Sequence, residues 1–80
     1  MEISIDCPDC GYNYYSAEDR ESKDRVTLMV GKCSATECEL TIEYSNGLME
    51  DQTYPDMSEL KDYVYLKYTI LSKEDCGCVN

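Results

Sequence analysis

Six cysteines in 80 residues constrain this fold more than any other feature of the sequence. A chain of this length buries a small share of its surface, so a metal ion or disulfides often supply the missing stability. The cysteines fall into three pairs: C-x2-C, then C-x4-C after 22 intervening residues, and finally C-x-C. They are Cys7, Cys10, Cys33, Cys38, Cys76 and Cys78.

Three disulfides would require an oxidising compartment and therefore a secretory signal. The first six residues, MEISID, contain neither the basic region nor the apolar region of such a signal. No apolar run approaches the roughly 20 residues that a helix needs to cross a bilayer. We therefore expect a protein of a reducing cytoplasm, with no membrane contact.

The first cysteine pair has the features of a zinc knuckle, because a proline lies within it and Gly11 follows it. Such a turn directs two sulfurs at one ion, and a glycine after the second ligand permits the backbone to turn sharply. The second pair also lies at the end of a predicted strand. The sequence thus predicts a closed, structural Zn²⁺ site that contributes on the order of 10 kcal/mol to folding. Its four ligands are Cys7, Cys10, Cys33 and Cys38.

Catalytic uses of the cysteines are not expected. A redox dithiol requires a helix after the first cysteine pair, and the charged residues there have no apolar helical stripe. Catalytic zinc sites usually employ histidine, and the chain has none. We therefore predict that the protein is not an enzyme. The role of Cys76 and Cys78 stays open among spare thiols, further metal ligands and a cross-link between copies.

Hydrophobic alternation predicts the strands. Residues 2–6 and 38–44 alternate apolar and polar side chains, and residues 26–31 place Val26, Leu28 and Val30 on one face, while the charged residues 16–25 are typical of a loop. The second cysteine pair joins the second and third of these strands. Asn46-Gly47 is a tight-turn signal, so a short edge strand is expected after it.

The last third of the chain permits two interpretations. Asp56 and Glu59 have the spacing of a capping box, and an apolar stripe follows, which predicts a helix over about residues 57–72. The run YVYLKYTIL, however, is rich in β-branched and aromatic residues and also suits a strand. The helix is the preferred interpretation, because the cap and the stripe agree.

These elements predict one small α+β domain with a zinc-ribbon-like antiparallel sheet and one C-terminal helix. The four-cysteine zinc site is expected to stabilise the domain. Residues 1–47 would form the zinc-binding β part, and residues 48–80 the helix and tail. No linker or repeat divides the chain.

Charge and tyrosine content indicate a binding protein. The 17 acidic and 7 basic residues give a net charge of −10, spread along the whole chain. Such a surface repels phosphate backbones and favours basic protein partners. With eight tyrosines and no Phe or Trp, some tyrosines must fill the core while others offer contact area. The predicted partner-binding residues are Tyr12, Tyr14, Tyr15, Glu39, Glu43 and Tyr63.

The complete ligand spacing, C-x2-C-x22-C-x4-C, resembles that of the Ogr/Delta-like zinc-finger family of small phage-encoded activators of late transcription. The resemblance covers about residues 7–46. It implies that Cys7, Cys10, Cys33 and Cys38 bind the metal and that host RNA polymerase and promoter DNA are the partners. Between the two pairs, however, acidic and basic residues interleave and form no basic stripe.

We therefore predict a phage-type acidic zinc-ribbon protein that binds a host protein and modulates or inhibits it. The expected partners are RNA polymerase or a nucleic-acid-handling antiviral defence complex, and mimicry of nucleic acid by the carboxylates is one mode of inhibition. Direct contact with nucleic acid is not expected. The alternative, a DNA-binding activator of late transcription that contacts RNA polymerase, follows from the family resemblance.

Overall fold

The computed structural model describes Ile3 and residues 12–74, except for the side chain of residue 32. Five strands form one antiparallel sheet in the order β4-β3-β2-β1-β5. The expected small α+β fold with an antiparallel sheet and one helix is confirmed, although a strand follows the helix. The elements are β1 (Tyr12–Asp19), β2 (Arg25–Cys33), β3 (Cys38–Tyr44), β4 (Met49–Tyr54), α1 (Met57–Lys67) and β5 (Tyr68–Glu74).

The core lies between α1 and one face of the sheet, because alternate residues of each strand point to the same side. The helix contributes Leu60 and Val64, both fully buried. Ile3, N-terminal to the sheet, also belongs to this cluster, and its N–H donates to the hydroxyl of Tyr65 at 2.7 Å. The buried residues from the strands are Asn13, Tyr15, Ala17, Val26, Leu28, Val30, Cys38, Leu40, Ile42 and Tyr68.

The first described strand, β1, extends through residues 16–19, where the charge pattern predicted a loop. The reason is Ala17, which is fully buried and pairs with Val26 on one side and Ile70 on the other. Pairing on both sides stabilises the strand although Glu18 and Asp19 near its end are charged. The loop is consequently shorter than predicted and is confined to residues 20–24.

The helix begins where the sequence predicted and ends earlier. The Asp56 side chain accepts a hydrogen bond from the backbone N–H of Glu59 at 2.9 Å, which confirms the N-cap. The prediction of helix through residue 72 is wrong, because the chain becomes extended at Tyr68 and continues as β5. Tyr68 is fully buried there. The β-rich composition of this segment permits a strand, and pairing with β1 makes it one beyond Lys67.

Arg20 connects the β1–β2 loop to the C-terminal end of α1. Its backbone N–H donates to the carbonyl of Lys67 at 2.9 Å, and its Nε donates to the carbonyl of Tyr65 at 3.0 Å. Carbonyls in the last turn of a helix have no partner within the helix. Arg20 supplies donors for two of them, which helps to fix the end of the helix.

The predicted turn at Asn46-Gly47 and the edge strand after it are confirmed. Gly47 has φ = 91°, a conformation that glycine adopts without the steric penalty of a Cβ. Tyr44 donates to the carbonyl of Leu48 at 2.8 Å and accepts from the N–H of Gly47 at 2.9 Å. These bonds close the hairpin and place β4 beside β3.

The sheet joins the two parts of the chain that the sequence separated at residue 47. Strands β4 and β5 come from residues 48–80 and flank the three strands from residues 1–47. Of the predicted strand at residues 2–6, only Ile3 lies within the described residues, and it is not in a strand. Across the part of the chain that the structure describes, no helix is long and apolar enough to cross a membrane.

Candidate binding face and cysteine end

The side of the sheet that faces away from α1, here called the outer face, carries side chains at the alternate positions that do not enter the core. One row crosses four strands in register, from Tyr14 to Met29, Thr41 and Asp51. The first three are half-buried by their neighbours and Asp51 is exposed. The described residues thus form a face of mixed aromatic, apolar and acidic character.

A second group on the outer face consists of Tyr12, Gly31 and Glu39. Tyr12 pairs with Gly31, and a Cβ added at Gly31 would lie only 2.8 Å from Cε1 of the tyrosine. The missing side chain therefore leaves space for the ring. The Tyr12 hydroxyl reaches across and donates to Oε2 of Glu39 at 3.2 Å. This hydrogen bond and the negative charge of Glu39 raise the pKa of Tyr12 above its ordinary value.

Two carboxylates line a shallow cleft beside this tyrosine. Asp51 Oδ1 accepts a hydrogen bond from the Thr41 hydroxyl at 2.8 Å, which orients the carboxylate. The cleft has a volume of about 190 Å³, and its walls include Tyr12, Glu39 and Thr53. Carboxylates next to an aromatic ring can accept hydrogen bonds from an ammonium or guanidinium group and bring it close to a π-face. The cleft suits a lysine or arginine side chain of a partner.

Four of the six predicted partner-binding residues share the outer face. Tyr12 and Tyr14 are two residues apart in β1, and Glu39 and Glu43 are four residues apart in β3. Because side chains alternate sides along a strand, the members of each pair point to the same side of the sheet. The sequence did not single out Met29, Thr41 or Asp51, although the alternation within β2 and β3 contains the signal for the first two. The four residues are Tyr12, Tyr14, Glu39 and Glu43.

The other two predicted residues lie elsewhere. Tyr15 is fully buried and pairs with Leu28 on the core side of the sheet, so its assignment to a contact surface needs correction. The physical reason is the two-residue period of a strand, which sends Tyr15 inward when Tyr14 points outward. Tyr63 is a half-buried residue of α1 whose ring centroid lies 5.6 Å from that of Tyr54.

The second cysteine pair lies at the turn between β2 and β3. Cys33 is the last residue of β2 and Cys38 the first of β3, and the two are opposite each other in the strand register. The structure joins them in a disulfide, with their Cα atoms 4.0 Å apart. Cys33 is exposed and Cys38 is buried. Zinc requires thiolates, so the disulfide and a zinc-bound pair are mutually exclusive states of the same two residues.

Strand β1 begins, and strand β5 ends, at the same end of the sheet as the turn that carries Cys33 and Cys38. Tyr12 at the start of β1 pairs with Gly31, and Glu74 at the end of β5 pairs with Tyr14. Cys10 precedes Tyr12 by two residues and Cys76 follows Glu74 by two. The predicted ligands Cys7 and Cys10 lie outside the described residues, as does the C-x-C pair. Among the described residues, no group of three or more His, Cys, Asp or Glu is arranged to hold a metal ion.

The chain matches no protein-family model, no curated protein and no solved structure. The resemblance to the Ogr/Delta-like family rests on the cysteine spacing alone.

Proposed function

We propose that this chain is an acidic binding protein whose outer face docks on a basic surface of another protein and modulates that protein. The observation that carries the proposal is the outer face itself. On it, Tyr12 and Tyr14 lie among the carboxylates of Glu39, Glu43 and Asp51, and none of the described elements covers them. Aromatic side chains at such positions provide large contact area with a polar end, as protein interfaces commonly do.

Electrostatics decide which class of partner fits this face. The Arg25 guanidinium lies 3.9 Å from the Glu18 carboxylate and is thus partly neutralised. Strands β3 and β4 contain acidic residues and neither lysine nor arginine, and the whole chain carries −10. Such a field repels phosphates and attracts lysine- and arginine-rich surfaces. A protein partner is therefore favoured over DNA.

The side chain of Tyr12 is already held in one position before a partner binds. Its ring rests over Gly31 and its hydroxyl is held by Glu39, so binding does not have to immobilise a freely rotating side chain. Ordering a flexible side chain at an interface costs about 0.5–1.5 kcal/mol. A contact residue that is already fixed avoids part of this cost.

The cysteine spacing suggests which proteins to examine first. It resembles that of phage activators of late transcription, so the proposed partners are host RNA polymerase or a nucleic-acid-handling antiviral complex. Both have basic surfaces that bind nucleic acid, and the carboxylates of the outer face would compete for those surfaces by mimicry. Association of this kind weakens steeply as salt increases.

We also propose that the cysteine end holds one structural Zn²⁺ when its thiols are reduced. The proposed ligands are Cys7, Cys10, Cys33 and Cys38. The donor set fits, because Cys33 and Cys38 are adjacent at a strand turn and β1 begins beside them. Four thiolates are a common donor set for structural zinc. The metal would link the start of β1 to the β2–β3 turn.

The binding proposal is tested by capture of partners from bacterial lysate with three immobilised proteins. These are the unchanged chain, an outer-face variant carrying Tyr14→Ala with Glu43→Lys, and a control carrying Asp62→Lys. Asp62 is an exposed residue of α1, away from the outer face. We expect a stoichiometric partner that the outer-face variant loses, that the control retains, and that added salt releases.

Equal capture by both variants would contradict the assignment of the outer face. A gel shift of DNA at low salt and micromolar protein would favour the alternative, a DNA-binding activator. Circular dichroism of each variant establishes that its fold is retained.

A further inference from the structure

Strand β4 forms one edge of the sheet, and its register with β3 is unbroken from Cys38–Tyr54 to Glu43–Met49. The opposite edge, β5, differs because its pairing with β1 shifts between Ser16 and Ala17. Proteins usually protect an edge strand with a bulge, a proline or charged side chains, especially lysine. The charges of β4 are the carboxylates of Glu50 and Asp51, which disfavour another acidic strand but not a basic one. The sequence of β4, MEDQTY, contains neither proline nor lysine.

The backbone groups on the free side of β4 can be assigned from the hairpin. Tyr44 and Leu48 are hydrogen-bonded partners, and bonded and non-bonded pairs alternate along an antiparallel ladder. The residues of β4 that bond to β3 are therefore Glu50, Gln52 and Tyr54. Those that direct their N–H and C=O away from the sheet are Met49, Asp51 and Thr53. Among the described residues, no strand pairs with this side.

The charges of β4 determine what can occupy this edge. Glu50 lies on the core side of the sheet and Asp51 on the outer side, so an added strand would meet a carboxylate on each face. Like charges opposite each other destabilise a strand pair, and opposite charges stabilise it by about 0.2–1 kcal/mol. A second copy of β4 would place its own acidic residues near these two. A basic segment is complementary to them.

Apolar surface is also available next to the edge. Leu48 and Met49 are 65% and 57% exposed, and an extended segment alongside β4 would cover part of both. Main-chain hydrogen bonds give affinity in strand addition, and alternate side chains give specificity. The position of Asp51 on both the outer face and β4 makes this edge continuous with the proposed docking surface.

We infer that β4 accepts an extended, lysine- or arginine-rich segment of the partner protein as a sixth strand. The inference rests on the proposed function, since it names the part of the partner that the protein would recognise. Backbone pairing would occur at Met49, Asp51 and Thr53. The basic side chains of the segment would face Glu50 on one side of the sheet and Asp51 on the other.

The test uses the full chain and a synthetic peptide of repeating Lys-Lys-Val-Val, which places lysines on both faces of a strand, with a Glu-Glu-Val-Val peptide as its control. Amide exchange measured by NMR should slow at Met49, Asp51 and Thr53 when the basic peptide is added. Thr53→Pro removes one free-side N–H without removing a bond to β3, and we expect it to weaken peptide binding about tenfold. Asp51→Lys should weaken binding through charge alone, while Asp62→Lys, with the same change in net charge, should have a smaller effect.

Several outcomes would overturn the inference. NMR chemical-shift changes at Tyr14 and Met29 without protection of the β4 amides would place the peptide on the outer face. The assignment of the binding site to the β4 edge would then be wrong, while the proposed function would stand. Protection of β4 that depends on protein concentration without peptide would identify a second copy as the occupant. Equal binding of both peptides, or of neither up to millimolar concentration, would also reject a basic strand, whereas the lysate capture tests the proposed function separately.

Discussion

The hydroxyl of Tyr12 donates a hydrogen bond to Oε2 of Glu39 at 3.2 Å, across the strand that separates β1 from β3. The bond depends on Gly31, which lies beneath the ring and has no side chain to displace it. One glycine in β2 thus sets the position of an aromatic ring and a carboxylate on the proposed docking face.

Gly31→Ala should therefore disturb Tyr12. The added Cβ would lie 2.8 Å from Cε1 of the ring, so the ring must move and its bond to Glu39 weakens. Overpacking of this kind typically costs about 1–3 kcal/mol of stability. Because the bond to Glu39 is the largest cause of the raised Tyr12 pKa, that pKa should fall towards its ordinary value. Phenol titration by NMR measures the change, with Tyr12→Phe to assign the signal and Ser58→Ala, at an exposed position of α1, as a control. An unchanged Tyr12 titration would contradict this account.

Asp56→Ala should shorten or destabilise α1. The Asp56 carboxylate accepts the N–H of Glu59 at 2.9 Å, and loss of an N-cap side chain costs about 0.5–2 kcal/mol. Urea unfolding measures the loss. Asp56→Ser should retain most of the stability, because its hydroxyl can accept the same hydrogen bond. Asp62→Ala removes one negative charge from the helix without removing the cap and so controls for the change in charge. A variant Asp56→Ala as stable as the unchanged chain would show that the cap contributes nothing.

Lys23→Gly should stabilise the protein. Lys23 has φ = 65° in the β1–β2 turn, a conformation that costs a residue with a Cβ about 1–2 kcal/mol. Glycine removes that cost but loses more entropy on folding, so we expect a net gain of about 0.5–1 kcal/mol. The midpoint of urea unfolding should rise accordingly. Glu21→Gly, at a position without positive φ, provides the matched control and should not stabilise. A lower midpoint for Lys23→Gly would refute the conformational argument.

Alkaline pH should unfold the protein through its tyrosines. Burial, followed by the nearby Tyr63 and Glu50, raises the pKa of Tyr54 from 10.0 to about 12, and burial is also the main cause of the raised pKa of Tyr68. In the unfolded chain these phenols lose their protons near pH 10, whereas the folded chain retains them. The unfolded state then binds fewer protons, so stability is intact below about pH 10 and decreases as pH rises above it.

Unfolding free energy measured between about pH 8 and pH 12 checks this expectation, and Tyr54→Phe should reduce the slope above about pH 10. A stability that stays constant through this range would mean that neither phenol is protected by the fold.

Reduced protein should bind one zinc ion per chain, measured by elemental analysis and native mass spectrometry. Replacing Cys33 and Cys38 with serine should abolish binding and destabilise the fold, because zinc at such sites supplies on the order of 10 kcal/mol. Replacing Cys76 and Cys78 with serine should leave the zinc in place. Loss of zinc from that second variant would assign the C-x-C pair to the metal site. Absence of zinc from the reduced, unchanged chain would reject the site altogether.

The sequence predicted those strands whose inward positions are aliphatic. Leu28 in β2 and Ile42 in β3 belong to sets of apolar residues that recur at every second position, and that pattern identifies a half-buried strand without knowledge of its partners. In β1 the inward residues include Asn13 and Ala17, which give little hydrophobic signal. The extent of β1 was therefore determined by pairing with β2 and β5, and pairing between distant segments cannot be read from local periodicity.

The end of the helix was mispredicted for a related reason. Tyr68 and Ile70 suit a strand as well as a helix, and the edge that β1 offers to β5 decides between them. The outer face was partly predictable, because Tyr12 and Tyr14 are separated by one residue and so share a side of any strand. Their neighbour Asp51 comes from β4, for which the sequence has no clear alternation, and its place on this face becomes visible only in the folded sheet.

The position of β5 beside β1 has a consequence for protein synthesis. Glu18 pairs with Thr69, so β1 has no neighbour on one side until residues 68–74 have left the ribosome. Until then Tyr15 and Ala17 cannot be enclosed as they are in the finished sheet. Contacts between segments so far apart in sequence form late and slowly, and an unpaired strand edge is prone to aggregate meanwhile. The nascent chain thus passes through an incomplete sheet, in which a chaperone or an early-binding partner would have the most effect.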